Sequence, residues 1–192
     1  MLNSTAPRLA EQCAEPATHS TAVPGAAAAG KRFRAAAGEF PTGVTVVTAV
    51  VEGAVSGMTA NSFITVSVDP LLVLVSLANR SRLARAAHAG MKLAISVLTQ
   101  DQQEISRFFA DSGRPVGQGA LGPSNWTVQR GARLPVVTDA AAYFDGHVDA
   151  LVPAGDHTLL VAAVSAFSMP DPRVTPLVFW RGGYHAVSAC PG

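Results

Sequence analysis

The chain has 192 residues, a net charge of +1, 48% hydrophobic residues and 14% charged ones. That length suits one domain with a tail, with a core large enough to need neither disulfide nor metal. The near-neutral charge excludes a long-range field for nucleic acid or an anionic membrane, and the low charge content points to apolar surface covered by a second copy.

Residues 1–30 lack the basic start and continuous apolar stretch of a signal peptide, and Pro24 and Gly25 break the alanine run that follows. They read as a disordered Ala/Pro-rich tail, leaving residues 31–192 as the folded domain. Residues 32–40 place Phe33, Ala36, Ala37 and Phe40 on one helical face before Pro41 and Gly43 end it. Residues 44–51 are β-branched and apolar almost throughout, as in a buried strand. Glu52-Gly53 reads as a hairpin tip returning through residues 55–59.

Residues 62–68 alternate polar and apolar, Asp69-Pro70 turns the chain, and residues 71–77 form a second buried strand. Residues 79–89 have helical spacing with Gly90 at the stop. Residues 93–98 are another strand, and residues 101–104 resemble a capping box ahead of Ile105, Phe108 and Phe109. Residues 112–133, rich in Gly, Pro and Arg, read as a long surface loop. Three more strand-like runs follow, at 140–152, 157–167 and 177–184. Many short strands with few helices predict a mainly β fold, a closed or nearly closed barrel.

Four segments could carry chemistry. In residues 57–62, small and hydroxylated side chains, Thr59, Asn61 and Ser62 among them, lie between strands where main-chain N–H groups can face a flat ligand. Local composition alone fits an ordinary polar turn better. In residues 76–82, Asn79 or Ser81 can cap a helix whose N-terminus, with Arg82, would bind phosphate. A capped helix with a solvated arginine fits equally well. Arg80, Arg82 and Arg85, like Lys31, Arg32 and Arg34, read as solvated helix faces.

Gly155-Asp156-His157 puts one histidine at the mouth of a strand, a position more often structural than catalytic. Residues 179–185 set two glycines between aromatics, which suits a tight turn beside a planar ligand or a plain hairpin. The five histidines lack the paired spacing of zinc sites, so no metal is expected. There is no nucleophile elbow, phosphate-binding loop or dinucleotide fingerprint. Cys13 and Cys190 form no framework, so a reducing cytoplasm is expected, and no window is long enough to span a membrane.

In order along the chain, FRAAAGEFPTGVTVVTA, SGMTANSFITVSVDPLLVLVSL, NRSRLARAAHAGMKLAISVL, the FFA helix, GDH and LVFWRGGYH resemble the flavin reductase-like family of FMN-binding split barrels. These are the reductase components of two-component flavin-dependent monooxygenases. The resemblance implies a homodimeric split β-barrel that passes hydride from NADH to FAD or FMN, with NADPH possible, and supplies a partner monooxygenase. It implies that Pro41, Thr42, Gly43, Val44, Thr59, Ala60, Asn61 and Ser62 line the isoalloxazine and ribityl chain. Ser76, Asn79, Ser81 and Arg82 would hold the flavin phosphate, with His157 and Tyr184 near the nicotinamide. Two features depart from the family: Asp145-Gly146 occupies the region of a frequent cysteine, and Asp69-Pro70 supplies one proline where two are common. A pyridoxamine-phosphate oxidase-like enzyme and a non-enzymatic flavin carrier or sensor are the alternatives.

Overall fold

The computed structural model describes residues 25–114, 126–127, 134–168, 171 and 173–187. Helix α1, Ala26–Ala37, starts inside the alanine run expected to belong to the tail. Alanine has the strongest intrinsic helix preference, so the run extends the helix upstream of Lys31. Gly38 closes it, its N–H donating to the Arg34 carbonyl. The face carrying Phe33 and Phe40 is not buried within the chain, each residue being 75% exposed.

After β1, Thr42–Gly43, strands β2, Thr45–Val51, and β3, Ala54–Ala60, form the expected hairpin. Its tip residues Glu52 and Gly53 have φ of 51° and 79°, the two left-handed positions that a tight hairpin of this twist requires. Strands β4, Ile64–Val68, and β5, Leu71–Ala78, follow, joined through Asp69-Pro70. The predicted helix after β5 shrinks to α2, Arg82–Ala86, because Ala87 is already extended. Beyond β6, Lys92–Val97, the capping box lies two residues upstream of its expected place. Gln102 Oε1 accepts from the Thr99 N–H at 3.1 Å, and a 3₁₀ turn runs into α3, Gln103–Ala110.

The remaining strands are β7, Trp126–Thr127; β8, Val136–Val137; β9, Ala142–Ala154; β10, His157–Phe167; β11, Val178–Trp180; and β12, Gly183–His185. Most of the loop predicted at 112–133, and residues 1–24, lie outside the described residues. The run read as one strand at 177–184 is two strands around the Arg181-Gly182 turn.

An antiparallel sheet of seven strands, in the order β3-β2-β6-β9-β10-β5-β4, makes the body of the fold. Its main core gathers Val47, Ala49, Val75, Leu77, Ile95 and Leu160. A second core under α3 gathers Val44, Val46, Leu98, Phe109 and Leu177. Strand β2 is therefore buried on both faces over most of its length, which is why its sequence is apolar or β-branched almost throughout instead of alternating, with the buried Thr45 and Thr48 hydroxyls hydrogen-bonded to carbonyls. Gly57 faces Phe109 so closely that a Cβ there would lie 2.8 Å from the ring, so α3 sits tight against β3. At Gly146 a Cβ would lie 2.0 Å from the Ala163 carbonyl oxygen, beside a register shift between β9 and β10.

Candidate active site

The end of β5 and the turn between β9 and β10 are bound into one structure by Asn79. Its main-chain N–H donates to the Asp156 carbonyl at 3.0 Å. Its Nδ2 donates to the Gly155 carbonyl at 3.1 Å, and its Oδ1 accepts from Thr158 Oγ1 at 2.8 Å. Gly155 has φ of 63°, a left-handed turn that glycine adopts without strain. His157 is thereby set directly opposite Ala78 across the β5–β10 ladder. Its Nδ1 lies 2.8 Å from Asp156 Oδ1, and the hydrogen bond, then the charge, of His157 holds the Asp156 carboxyl below the ordinary aspartate range.

Between α2 and the end of α3 lies a cleft of 430 Å³ whose lining includes Met58, Thr59, Ser81, Phe109 and the arginines Arg80, Arg82, Arg85 and Arg114. Ser81 is the N-cap, its hydroxyl accepting from the Ala84 N–H at 3.1 Å. With only five residues, α2 contributes little dipole. The anion-attracting character predicted for residues 79–82 therefore rests on guanidinium groups. Arg82 donates to the Ser112 carbonyl at 3.4 Å and the Arg114 carbonyl at 3.2 Å. Arg114 donates to the carbonyls of Phe109 at 3.3 Å, Asp111 at 2.9 Å and Gly57. Burial, and next the neighbouring Arg82 charge, lower the Arg114 pKa, while Asp111 opposes them.

A second wall comes from the three-stranded sheet β1-β11-β12. Thr42 pairs with Phe179, and Phe179 with Tyr184, so the three residues form one row. Antiparallel partners point to the same face of the sheet. The Phe179 and Tyr184 rings meet edge to face at 5.5 Å. Tyr184 Oη lies 2.8 Å from Ser106 Oγ, and Thr59 Oγ1 donates to the Ser106 carbonyl at 2.7 Å. Helix α3 thus connects Tyr184 to Thr59, and Thr59 to the arginine cleft.

Among the described residues, Thr42 Oγ1 is the buried side-chain polar atom without a hydrogen-bond partner. A buried hydroxyl so placed fits a ligand that supplies the missing partner.

Several expected lining residues have other work. Ser62 Oγ donates to the Ser76 carbonyl at 3.0 Å and accepts from the Ser76 N–H at 2.9 Å, pinning β4 to β5. Val44 is 1% exposed and packs in the second core, with its carbonyl taken by the Leu98 N–H. Ala60 is buried, its carbonyl accepting from Thr45 Oγ1 at 2.7 Å. Pro41, Gly43 and Asn61 are exposed. Sequence reasoning missed Ser106, Arg80, Arg85 and Arg114 as members of the site. The arginine content of residues 112–133 was the one signal for Arg114. Nothing local marked Ser106.

Residues 37–188 match the family model described as Flavin reductase like domain. The chain belongs to this family. It is 38% identical over 155 residues to the NADH-dependent flavin reductase StyB of Pseudomonas fluorescens, covering 80% of this chain and 87% of that protein. To a probable flavin reductase of Rhizobium meliloti it is 39% identical over 155 residues, 80% of this chain but 48% of that longer protein. Among solved structures, the styrene monooxygenase flavin reductase of Pseudomonas putida superposes with a TM-score of 0.71 at 36% identity, covering 82% of this chain and 98% of that one. The Streptomyces globisporus NADH:FAD oxidoreductase in complex with NAD and FAD fragments gives 0.75 at 29% identity, covering 84% and 94%. The flavin reductase fold, mainly antiparallel β, is thus the fold of this chain.

Proposed function

We propose that this flavin reductase-like chain oxidises NADH and reduces free FAD or FMN, handing the reduced flavin to a partner monooxygenase. The observation that carries the reading is the union, through Asn79, of the basic cleft with the Gly155-Asp156-His157 turn. One bound molecule anchored by phosphate in the cleft lies next to a second bound at His157. When both substrates are bound, hydride passes from nicotinamide C4 to flavin N5, chemistry that belongs to the substrates themselves.

The chain's own task is placement. Arg82, with Ser81 beside it, anchors the flavin phosphate, and Asn79 orders the turn that presents His157. The Thr42 hydroxyl and the exposed Pro41, Gly43 and Asn61 are the members of residues 41–44 and 59–62 left available to the ring. His157 and Tyr184 border the nicotinamide. Hydride transfer between the two substrates makes no proton-transfer residue obligatory.

A homodimer is supported by exposed apolar side chains around β4 and β5: Ile64 at 54%, Val68 at 85% and Phe167 at 51%. No helix among the described residues is long and apolar enough to cross a membrane, and we place the enzyme in the cytoplasm. The test is NADH consumption by the purified protein with FAD, FMN or no flavin. Flavin-dependent NADH oxidation supports the reading, and flavin binding without oxidation of either NADH or NADPH would leave a carrier.

A further inference from the structure

Both ends of the Asn79 amide, a residue expected among the phosphate ligands, are engaged by the turn that carries His157. Nδ2 donates to the Gly155 carbonyl and Oδ1 accepts from Thr158 Oγ1. The reverse orientation would set Oδ1 against a carbonyl oxygen, so these two partners fix the amide. The Asn79 main-chain N–H adds a third bond, to the Asp156 carbonyl. Asn79 is absent from the lining of the arginine cleft, although Ala78, Arg80, Ser81 and Arg82 on either side of it belong there.

The turn depends on these bonds. Residues 152–156, at the tip of the β9–β10 hairpin, are all exposed, so burial does not hold them in place. The β5–β10 ladder ends at the pair of Ala78 and His157, and Asn79 carries the connection one residue past it. On the cleft side, the Ser81 N–H donates to the Ala78 carbonyl at 2.8 Å, closing a turn over residues 78–81. Residues 78–82 are therefore one short unit with two attachments. The Asn79 bonds fasten it to the His157 turn, and the Ser81 cap and Arg82 present it to the cleft. Two ligands that order the same unit favour each other's binding, and by the same factor.

We propose that Asn79 is a positioning residue that couples the two substrates. Phosphate engaged at Ser81 and Arg82 steadies residues 78–82, and the Asn79 bonds pass that order to His157, so the nicotinamide binds more tightly once flavin is in place. This coupling rests on the proposed function, which puts the flavin phosphate at the cleft and the nicotinamide at His157. It takes Asn79 itself out of the phosphate site.

The experiment uses the full chain and takes NAD+ as the probe, a nicotinamide that cannot reduce flavin, titrated into protein saturated with FMN or with riboflavin. Both flavins offer the same ring for stacking, and only FMN carries the phosphate. In the wild type NAD+ binds about fivefold or more tightly with FMN than with riboflavin, the usual range of coupling between two sites. In Asn79→Ala that advantage disappears while the dissociation constant for FMN alone is unchanged. Thr158→Val, which removes the Oδ1 partner alone, reduces the advantage without abolishing it. Equal NAD+ affinity with FMN and riboflavin in the wild type overturns the proposal, as does absence of NAD+ binding to a wild type that oxidises NADH. An advantage that survives Asn79→Ala also overturns it, and would assign the coupling to the charge of Arg80, which reaches Asp156. A marked loss of FMN affinity in Asn79→Ala overturns it as well, by returning Asn79 to the phosphate. Should Asn79→Ala fail to fold, Thr158→Val carries the comparison, and an undiminished advantage there counts against the coupling. Failure of the reductase reading is distinct, and would appear as no NADH oxidation by the wild type with any flavin.

Discussion

Ser106 Oγ and Tyr184 Oη lie 2.8 Å apart, and Ser106 is fully buried. Because the same residue's carbonyl accepts from Thr59, it holds two separate walls of the site in register. Ser106 is not among the cleft-lining residues and acts through Tyr184 and Thr59, so in the proposed site it is a positioning residue. Ser106→Ala should cost about 1 kcal/mol of stability and raise the NADH KM several-fold. Tyr184→Phe should show a similar kinetic change, and the double variant should be little worse than either single one. A double-mutant cycle in KM tests this, and full additivity would show that the two residues act independently.

His157→Ala should impair use of NADH far more than binding of flavin. His157 sits beyond the arginine cleft, opposite Ala78, so its loss leaves the phosphate contacts intact. Steady-state kinetics in NADH and a separate flavin titration divide the two effects. Unchanged NADH kinetics would remove His157 from the nicotinamide site. Arg82→Ala should do the reverse, weakening flavin binding first.

Two glycines should rank differently under substitution by alanine. At Gly57 the new methyl meets the Phe109 ring, a side chain that must shift to admit it, an overpacking cost of about 1–3 kcal/mol. At Gly146 it meets main chain at 2.0 Å, so the β9–β10 ladder itself must shift. Denaturant unfolding should therefore place Gly146→Ala well below Gly57→Ala in stability.

Asp156 provides a pH signature. Its carboxyl is held low mainly by the hydrogen bond to His157. The carboxylate side of the contact is thus fully present above the ordinary aspartate range, near pH 4, and is lost as pH falls through the lowered value. Carboxyl NMR should find the Asp156 midpoint below the ordinary range, returning upward in His157→Ala. An unchanged midpoint in that variant would assign the shift to another group.

How far this was legible in the sequence depended on how local each cause was. The β2–β3 hairpin could be read because a β-branched run and Glu52-Gly53 carry their own instructions. Burial of β2 on both faces was visible as a run β-branched and apolar almost throughout. The start of α1 was misplaced because alanine repeats resemble low-complexity tail. The capping box was misread by two residues because Asp101 and Glu104 fit the same spacing as Thr99 and Gln102. The basic cleft was harder still: Arg80, Arg82 and Arg85 acquire their meaning from Arg114, which tertiary packing of Gly57 against Phe109 brings across. The resemblance to the flavin reductase-like family located residues 79–82 and His157, but the Asn79 bonds that unite them exist only in the folded chain.

The small sheet formed by Thr42, Phe179 and Tyr184 joins the first strand of the domain to its last two. During synthesis on the ribosome, all seven strands of the large sheet emerge before Val178 does. Translation therefore finishes the scaffold first and the Tyr184 wall last. A nascent or proteolytically clipped chain ending ahead of β11 contains the whole large sheet yet lacks the Phe179–Tyr184 row, which the proposed function makes one side of the substrate site.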